Sequence, residues 1–513
     1  MLYNFNWLNP GQTFPPVREM PRITRYHQNA MLFDGDHFAS PEFRIHDDRC
    51  QHGIDFYIKC AKRISRVIGN FDDVVSFPTL LNYQRLMSLK MSDLVCGEYP
   101  SISGATSEEN ALLKDIRDHS DFDAKMYSTV IDISRYGDAI WRMYLDEEDQ
   151  YTFTCWDPAQ WYPVVKQDGT NSIIAHCLCW RENKSLDPDK PDWYLHVQIH
   201  GTSAEDIGHY ETRVYKMSTD GSAILELKSS GIVPTGLDRC AVFHLKAFAT
   251  TNSVYGYDDY MPLDSLIAEI MARVGQISAI LDKHADPNIT GPVSMLTVDA
   301  RTGEYSLSPG KFFAVSPGEE QPRYMTWDGQ LSAAFKQLEF LVNQLYILSE
   351  MGAALLGGQD ASGTAISGTA MRFKMVNPLA KARRISNSLT RPVKQLFSGL
   401  SIGESQIEYK NISVLWADGL PDDPRENVEI CKLATGATKM MPLEEGIMEF
   451  FQRSNEEAKR WLEQIRAETE ESMQLQQQLQ DPNKPGPQDG TGVNPAKKGS
   501  TTGLNDFHGT QNQ

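Results

Sequence analysis

The stretch from Tyr260 to Leu400 constrains this 513-residue chain most. Apolar residues fall at Leu263, Leu266, Ile267, Ile270, Met271, Val274, Ile277 and Leu281, the stripe of one helix face. A second stripe runs through Leu331, Ala334, Phe335, Leu338, Leu341, Val342, Leu345 and Leu348. Between them, 286–329 is rich in Pro and Gly, with short apolar runs such as 292–296 and 312–315. A glycine-rich segment from Gly357 to Gly368 follows. Residues 370–400 then carry Arg372, Lys374, Lys381, Arg383, Arg384, Arg391 and Lys394, and no acid. The order predicts mechanical architecture: two helical struts, a strand-bearing tip, a loop and a long basic helix. The stripes suit an ordinary core or two helices packed against copies of themselves, and the residues leave both open.

Length allows several sub-domains. The formal charge of −19 argues against gripping nucleic acid everywhere by counterion release. It is compatible with letting DNA pass without sticking, since like charges repel. No apolar run reaches membrane-spanning length, and the first residues lack the basic stretch of a secretion signal. The eight cysteines form no CxxC pair; Cys177 and Cys179 share a face of a strand-like run. They read as free thiols, the state favoured in a reducing compartment, with a metal site as the minor alternative.

Residues 1–50 read as irregular, and 51–69 and 76–95 as helical. Residues 107–145 read as two helices, the second around Tyr127, Ile131, Ile133, Ala139 and Ile140. Between 151 and 247, β-rich runs alternate with turn signals such as Gln167-Asp-Gly and Thr219-Asp-Gly, the spacing of an antiparallel meander. A strand is expected at 407–416, helices at 424–434 and 443–480, and a disordered tail at 481–513.

Candidate chemistry is sparse. Gly363 to Thr369 approaches a phosphate-binding loop but lacks the lysine and a preceding strand, so flexibility is the better reading. Asp258-Asp259 and Glu147-Glu148-Asp149 read as solvated turns. His196 and His200 share a strand face without a ligand partner. No catalytic residue, metal set or cofactor motif is identified. The basic helix suits either DNA phosphates or acidic helices of its own or a neighbouring subunit. The residues alone keep open a structural subunit beside a carboxylate- and metal-dependent hydrolase or nuclease using Asp258 and Asp259.

Four segments carry a family resemblance across roughly 50–475. They are Trp156-Asp-Pro-Ala-Gln-Trp-Tyr-Pro, Tyr255-Gly-Tyr-Asp-Asp-Tyr-Met-Pro-Leu-Asp, Ser362-Gly-Thr-Ala-Ile-Ser-Gly-Thr-Ala-Met-Arg-Phe and Trp416-Ala-Asp-Gly-Leu-Pro-Asp-Asp-Pro. In this order they resemble the tailed-bacteriophage portal proteins, the siphophage-type head-to-tail connectors. The resemblance implies an α+β portal-type fold with helical stem, β-rich wing and clip, and helical crown, assembled as a ring of twelve. By that analogy 1–259 is wing, 260–284 the first stem helix, 285–329 clip, 330–350 the second stem helix and 351–369 a tunnel loop. The long basic helix and a wing strand occupy 370–423, and the crown 424–480. It further implies a virion protein at one capsid vertex, present in the host cytoplasm during assembly, with another virion structural subunit as the alternative. Its roles there are genome packaging, retention and ejection. The implied partners are the major capsid protein, the terminase large subunit, then the head–tail adaptor, and duplex DNA in the channel, with no membrane. The loop residues singled out are Gly352, Gly357, Gly358, Gln359, Asp360, Gly363 and Gly368. Glu269, Asp282, Lys283, Lys336, Glu339 and Glu350 are candidates for the channel wall, and Lys381, Arg383 and Arg384 for phosphate or intersubunit contacts.

Overall fold

The computed structural model describes residues 5–34, 81–185, 187, 189–285, 331–357, 372–403, 406–417, 424–436, 440–451 and 455–480, with short pieces at 289–290, 297–298, 305–306, 318 and 323–324. It divides into two units, Met1–Leu420 and Pro421–Gln513. Helices and strands are mixed, as an α+β class requires.

In the first unit, α1 (Met20–Asp34) corrects the irregular reading of the N-terminus. Its inward face, Ile23, Tyr26 and Leu32, is interrupted by buried polar residues, which obscured the period. Helices α2 (Tyr83–Cys96), α3 (Ser107–His119) and α4 (Phe122–Tyr136) follow, with β1 (Ser101–Ser103) between α2 and α3. Helix α3 starts at a reciprocal cap: Thr106 Oγ1 accepts from the Glu109 amide, while Glu109 accepts from the Thr106 amide. Helix α4 stops at Gly137, whose φ of 83° is left-handed. Ala139 and Ile140, expected on that helix, therefore lie on β2 (Asp138–Leu145).

Strand β2 is the middle of a three-stranded antiparallel sheet with β3 (Tyr151–Trp156) and β9 (Val242–Lys246). The turn joining β2 to β3 holds Glu147-Glu148-Asp149, exposed as expected. The meander is a second sheet, ordered β4 (Trp161–Val165), β5 (Ile173–Asn183), β6 (Trp193–Gly201), β7 (His209–Met217) and β8 (Ile224–Pro234). Residues alternate cleanly along β7 between buried and half-buried, the period of a sheet with one face on a core. Cys177 and Cys179 are buried in that core as free thiols.

Next come α5 (Asp264–Ala285), short pairs β10 (Ile289–Thr290) with β13 (Arg323–Tyr324) and β11 (Thr297–Val298) with β12 (Tyr305–Ser306), then α6 (Leu331–Leu348). Helices α5 and α6 pack on one another. A pairing of 294–298 with 311–315 is one expectation for this insert; 297–298 instead takes Tyr305–Ser306, and 311–315 lies outside the described residues. The segment after α6 forms α7 (Gly352–Leu356), so the first turn of the expected loop is helical. Helix α8 (Val376–Leu400) is the basic helix, and its inner face is core: Ile385, Leu389, Val393, Leu396 and Phe397 are buried. Phe397 meets Phe122 edge-on at 4.9 Å. The strand expected at 407–416 is only β14 (Ser413–Leu415), which pairs with β1.

The second unit contains α9 (Pro424–Thr435), α10 (Leu443–Phe451) and α11 (Asn455–Gln480), so the helix expected over 443–480 is two. Helix α9 packs on α10 and α10 on α11, burying Cys431, Ile447 and Ala458. The expectations for 51–69 and 481–513 fall outside the described residues.

Where the two sheets of the first unit meet, Trp161 Nε1 donates to His176 Nδ1 at 3.0 Å. Burial pushes His176 down to about 3, with the neighbouring His244 adding to it. A histidine held neutral when folded but free to protonate when unfolded loses stability as pH falls below its ordinary value near 6.5. The expected fall is about 1.4 kcal/mol per pH unit below that value. Denaturant titrations between pH 7 and 5 read this, and His176→Gln should remove this residue's share of the slope.

Candidate functional site: the helical strut and its base

Within the first unit, the strut formed by α5 and α6 departs from the sheets through a joint whose geometry is set by two glycines. A Cβ at Gly256 would sit 2.0 Å from the Gly137 carbonyl oxygen, and one at Gly137 would sit 2.7 Å from the Gly256 carbonyl carbon. No other residue allows these two backbones to touch. The Gly256 amide donates to Asp138 Oδ1 at 2.8 Å. Asp138 is fully buried and also accepts from Tyr26 Oη and pairs with His244 Nε2, the latter at 2.6 Å. Burial alone would raise its carboxyl, but these hydrogen bonds prevail and hold it below its ordinary range.

The next residues are the acid pair read as a solvated turn, and the structure corrects that reading. Asp258 is buried; it lies 3.3 Å from Arg25 Nε and accepts from the amides of Tyr260 and Met261, capping the entry to α5. Asp259 accepts from Ser134 Oγ at 2.7 Å and pairs with Lys381 Nζ at 2.8 Å. Lys381 is buried and also donates to the Ser349 carbonyl at 3.1 Å. One ammonium thus ties the start of α5, the end of α6 and α8 together. This removes Lys381 from the phosphate and intersubunit candidates. A lysine at that spacing on a basic helix looks like surface in sequence; only the Asp259 contact reveals its place.

Above the joint, Glu350, with φ of 59°, pairs with Arg384 at 2.5 Å on the surface. The Arg384 guanidinium also lies 5.6 Å from the Phe248 ring, which stacks on Tyr257 at 5.4 Å. Arg383 is exposed. Glu269 pairs with Arg273 one turn on at 2.7 Å, while Lys336 and Glu339 are exposed on α6. Asp282 and Lys283 lie in the last turn of α5. Of the loop residues, Gly352 opens α7 and Gly357 ends it with φ of 82°. Gly358, Gln359, Asp360, Gly363 and Gly368 lie outside the described residues.

The second stripe needs correction in one respect. Leu338, Leu341, Val342 and Leu345 pack inward, but Phe335 and Leu348 are more than half exposed. Phe340 and Ile347, seven residues apart on the opposite side of α6, are more than half exposed as well. Leu281 near the end of α5 is 48% exposed. The strut is apolar on more than the face its partner helix covers.

Among the described residues, no group of three His, Cys, Asp or Glu side chains is placed to hold a metal ion. None of the described helices is long and apolar enough to cross a membrane. Residues 79–235, from α2 through β8, match the family model of phage portal proteins, SPP1 Gp6-like. That match supports a tailed-phage portal protein. Comparison with curated proteins gives no match. Portal proteins are a structural rather than an enzymatic kind. The matched segment runs over α2 to α4 and β1 to β8, Asp138 included, and leaves out α1, β9 and the strut.

Two substitutions test the joint. Gly256→Ala should destabilise the chain by about 3 kcal/mol, because the methyl has no space beside Gly137. Lys381→Met should cost about 3 kcal/mol by leaving Asp259 without its cation. Urea unfolding followed by tryptophan fluorescence measures both.

Proposed function

We propose that the chain is the subunit of a twelve-membered portal ring that conducts duplex DNA through one capsid vertex. The portal-family match supports the general role. The observation that carries the ring is the uncovered apolar surface of α6. Exposed apolar patches of this kind mark association surfaces in soluble proteins. A neighbouring strut laid against Phe340 and Ile347 would bury them.

In this reading α5 and α6 are the stem, 285–329 the clip that meets the terminase large subunit and later the head–tail adaptor, and 424–480 the crown. The wing, 1–259, faces the major capsid protein. The segment 351–369 borders the channel as a tunnel loop. The acidic balance of the chain favours a wall that repels phosphate, so DNA slides without capture. Lys336 and Glu339 are wall candidates on the exposed side of α6. Glu350 is neutralised by Arg384, which weakens its contribution to the wall, and Arg383 remains for phosphate or a neighbouring subunit. Packaging, retention and ejection follow from one conduit used in both directions. The hydrolase alternative loses its two acids, since Asp258 faces Arg25 and Asp259 faces Lys381.

Negative-stain images of the purified protein should show rings with a central hole. Phe340→Asp combined with Ile347→Asp should abolish the rings while leaving the monomer's melting transition intact. A wild-type chain that stays a 57.8 kDa monomer across protein and salt concentrations overturns the proposal.

A second measurement addresses the loop. Replacing Gly357 and Gly358 with valine should leave rings assembled and lower DNA packaged per ring, since valine resists the left-handed backbone at 357. Normal packaging by those rings would reduce the segment to a connector.

A further inference from the structure

Where β2 and β3 approach one face of β6 and β7 lie four buried polar side-chain atoms without a hydrogen-bond partner among the described residues. They are Arg142 Nε, Trp156 Nε1, Gln198 Oε1 and His200 Nε2. The Arg142 guanidinium carbon lies 5.8 Å from the Trp156 ring, 5.8 Å from the Tyr210 ring and 6.0 Å from the Tyr144 ring. His200 stacks on that same Tyr210 at 4.6 Å and is buried at 2% exposure. Gln198, two residues before His200, projects from the same face of β6. Arg142 lies near enough for its charge to disfavour protonation of His200, after burial itself.

The contrast with other buried or half-buried cations of this unit is what points to a ligand. Arg22 pairs with Glu19, Arg135 with Asp132, Arg213 with Glu211 and Lys381 with Asp259. Arg142 has three ring faces and no acceptor among the described residues. Rings attract a guanidinium but leave its N–H donors unused. Beside it stand the Trp156 N–H, a donor only, and a histidine nitrogen that donates in one of its two neutral tautomers. The Gln198 amide turns either end inward by rotation. A half-enclosed cation ringed by idle donors is the chemistry that binds an oxyanion, with bidentate geometry available at the guanidinium.

We propose that Arg142, Trp156, Gln198 and His200 form a binding site for an oxyanion, a carboxylate or a phosphate-like group, where the two sheets meet. The oxyanion comes either free from solution or on an acidic side chain of a second copy of this chain, whose carboxylates are abundant.

The test uses the full chain. Acetate, sulfate and inorganic phosphate are titrated separately against chloride at constant ionic strength, with melting temperature and tryptophan fluorescence as readouts. At least one should give a saturable response. Arg142→Gln should weaken it tenfold or more, and Trp156→Phe several-fold in the melting readout. Trp156→Phe also serves if Arg142→Gln does not fold. Sedimentation with and without saturating oxyanion separates the sources. Dissociation of the assembly, matched by weaker assembly of Arg142→Gln, assigns the group to a neighbouring copy, and unchanged assembly with saturable binding assigns it to solution. A response that never saturates, is equal in both variants, and accompanies wild-type assembly by both overturns the site.

Discussion

The carboxylate of Asp138 is the interaction on which the first unit depends. It sits at the start of β2, and its partners come from α1, from β9 and from the segment that enters α5. A buried carboxylate is costly unless each oxygen is satisfied. Here both are, by groups from three separate stretches of chain, so no one of those stretches can shift without exposing the charge to a partnerless interior. The same residue follows Gly137, the glycine that both ends α4 and admits Gly256. Helix termination, sheet initiation and departure of the strut are therefore one local event.

That joint explains why the strut has a defined direction. Asp258 and Asp259 each face a different cation, Arg25 on α1 and Lys381 on α8. Buried pairs of this kind contribute more to uniqueness of arrangement than to net stability. With one acid fixed to the N-terminal helix and its neighbour fixed to the basic helix, α5 begins in a single orientation. The functional reading of α5 and α6 as a stem relies on that rigidity.

Much of this was legible in the chain itself. The helix–insert–helix order, the meander of β4 to β8 and the buried thiols on one strand face all follow from period and turn chemistry. The misreadings have physical causes. Helix α1 was hidden because its buried face includes Arg22 and Asn29, polar residues that reach distant backbone carbonyls. Ala139 and Ile140 continued a helical spacing that Gly137 cuts. Asp258 and Asp259 look like solvent-facing acids because their cations lie far away in sequence. The cluster around Arg142 had no signal at all, since its members come from strands whose sidedness emerges only when two sheets pack. Phe340 and Ile347 were missed because the search for one apolar stripe on α6 passes over a second.

The pairing of β1 with β14 joins residues 101–103 to residues 413–415. Nearly everything in the first unit, both sheets and the entire strut, is an excursion between the two halves of one short ribbon. During synthesis β1 stays without its partner strand until β14 emerges, because the two pair with each other. Until then its edge is open, and closing so long a loop carries an entropic cost that local helices cannot repay early. A subunit built this way is finished late and as a whole. The order of synthesis itself thus fixes when the unit is complete: not before residues 413–415 have been made.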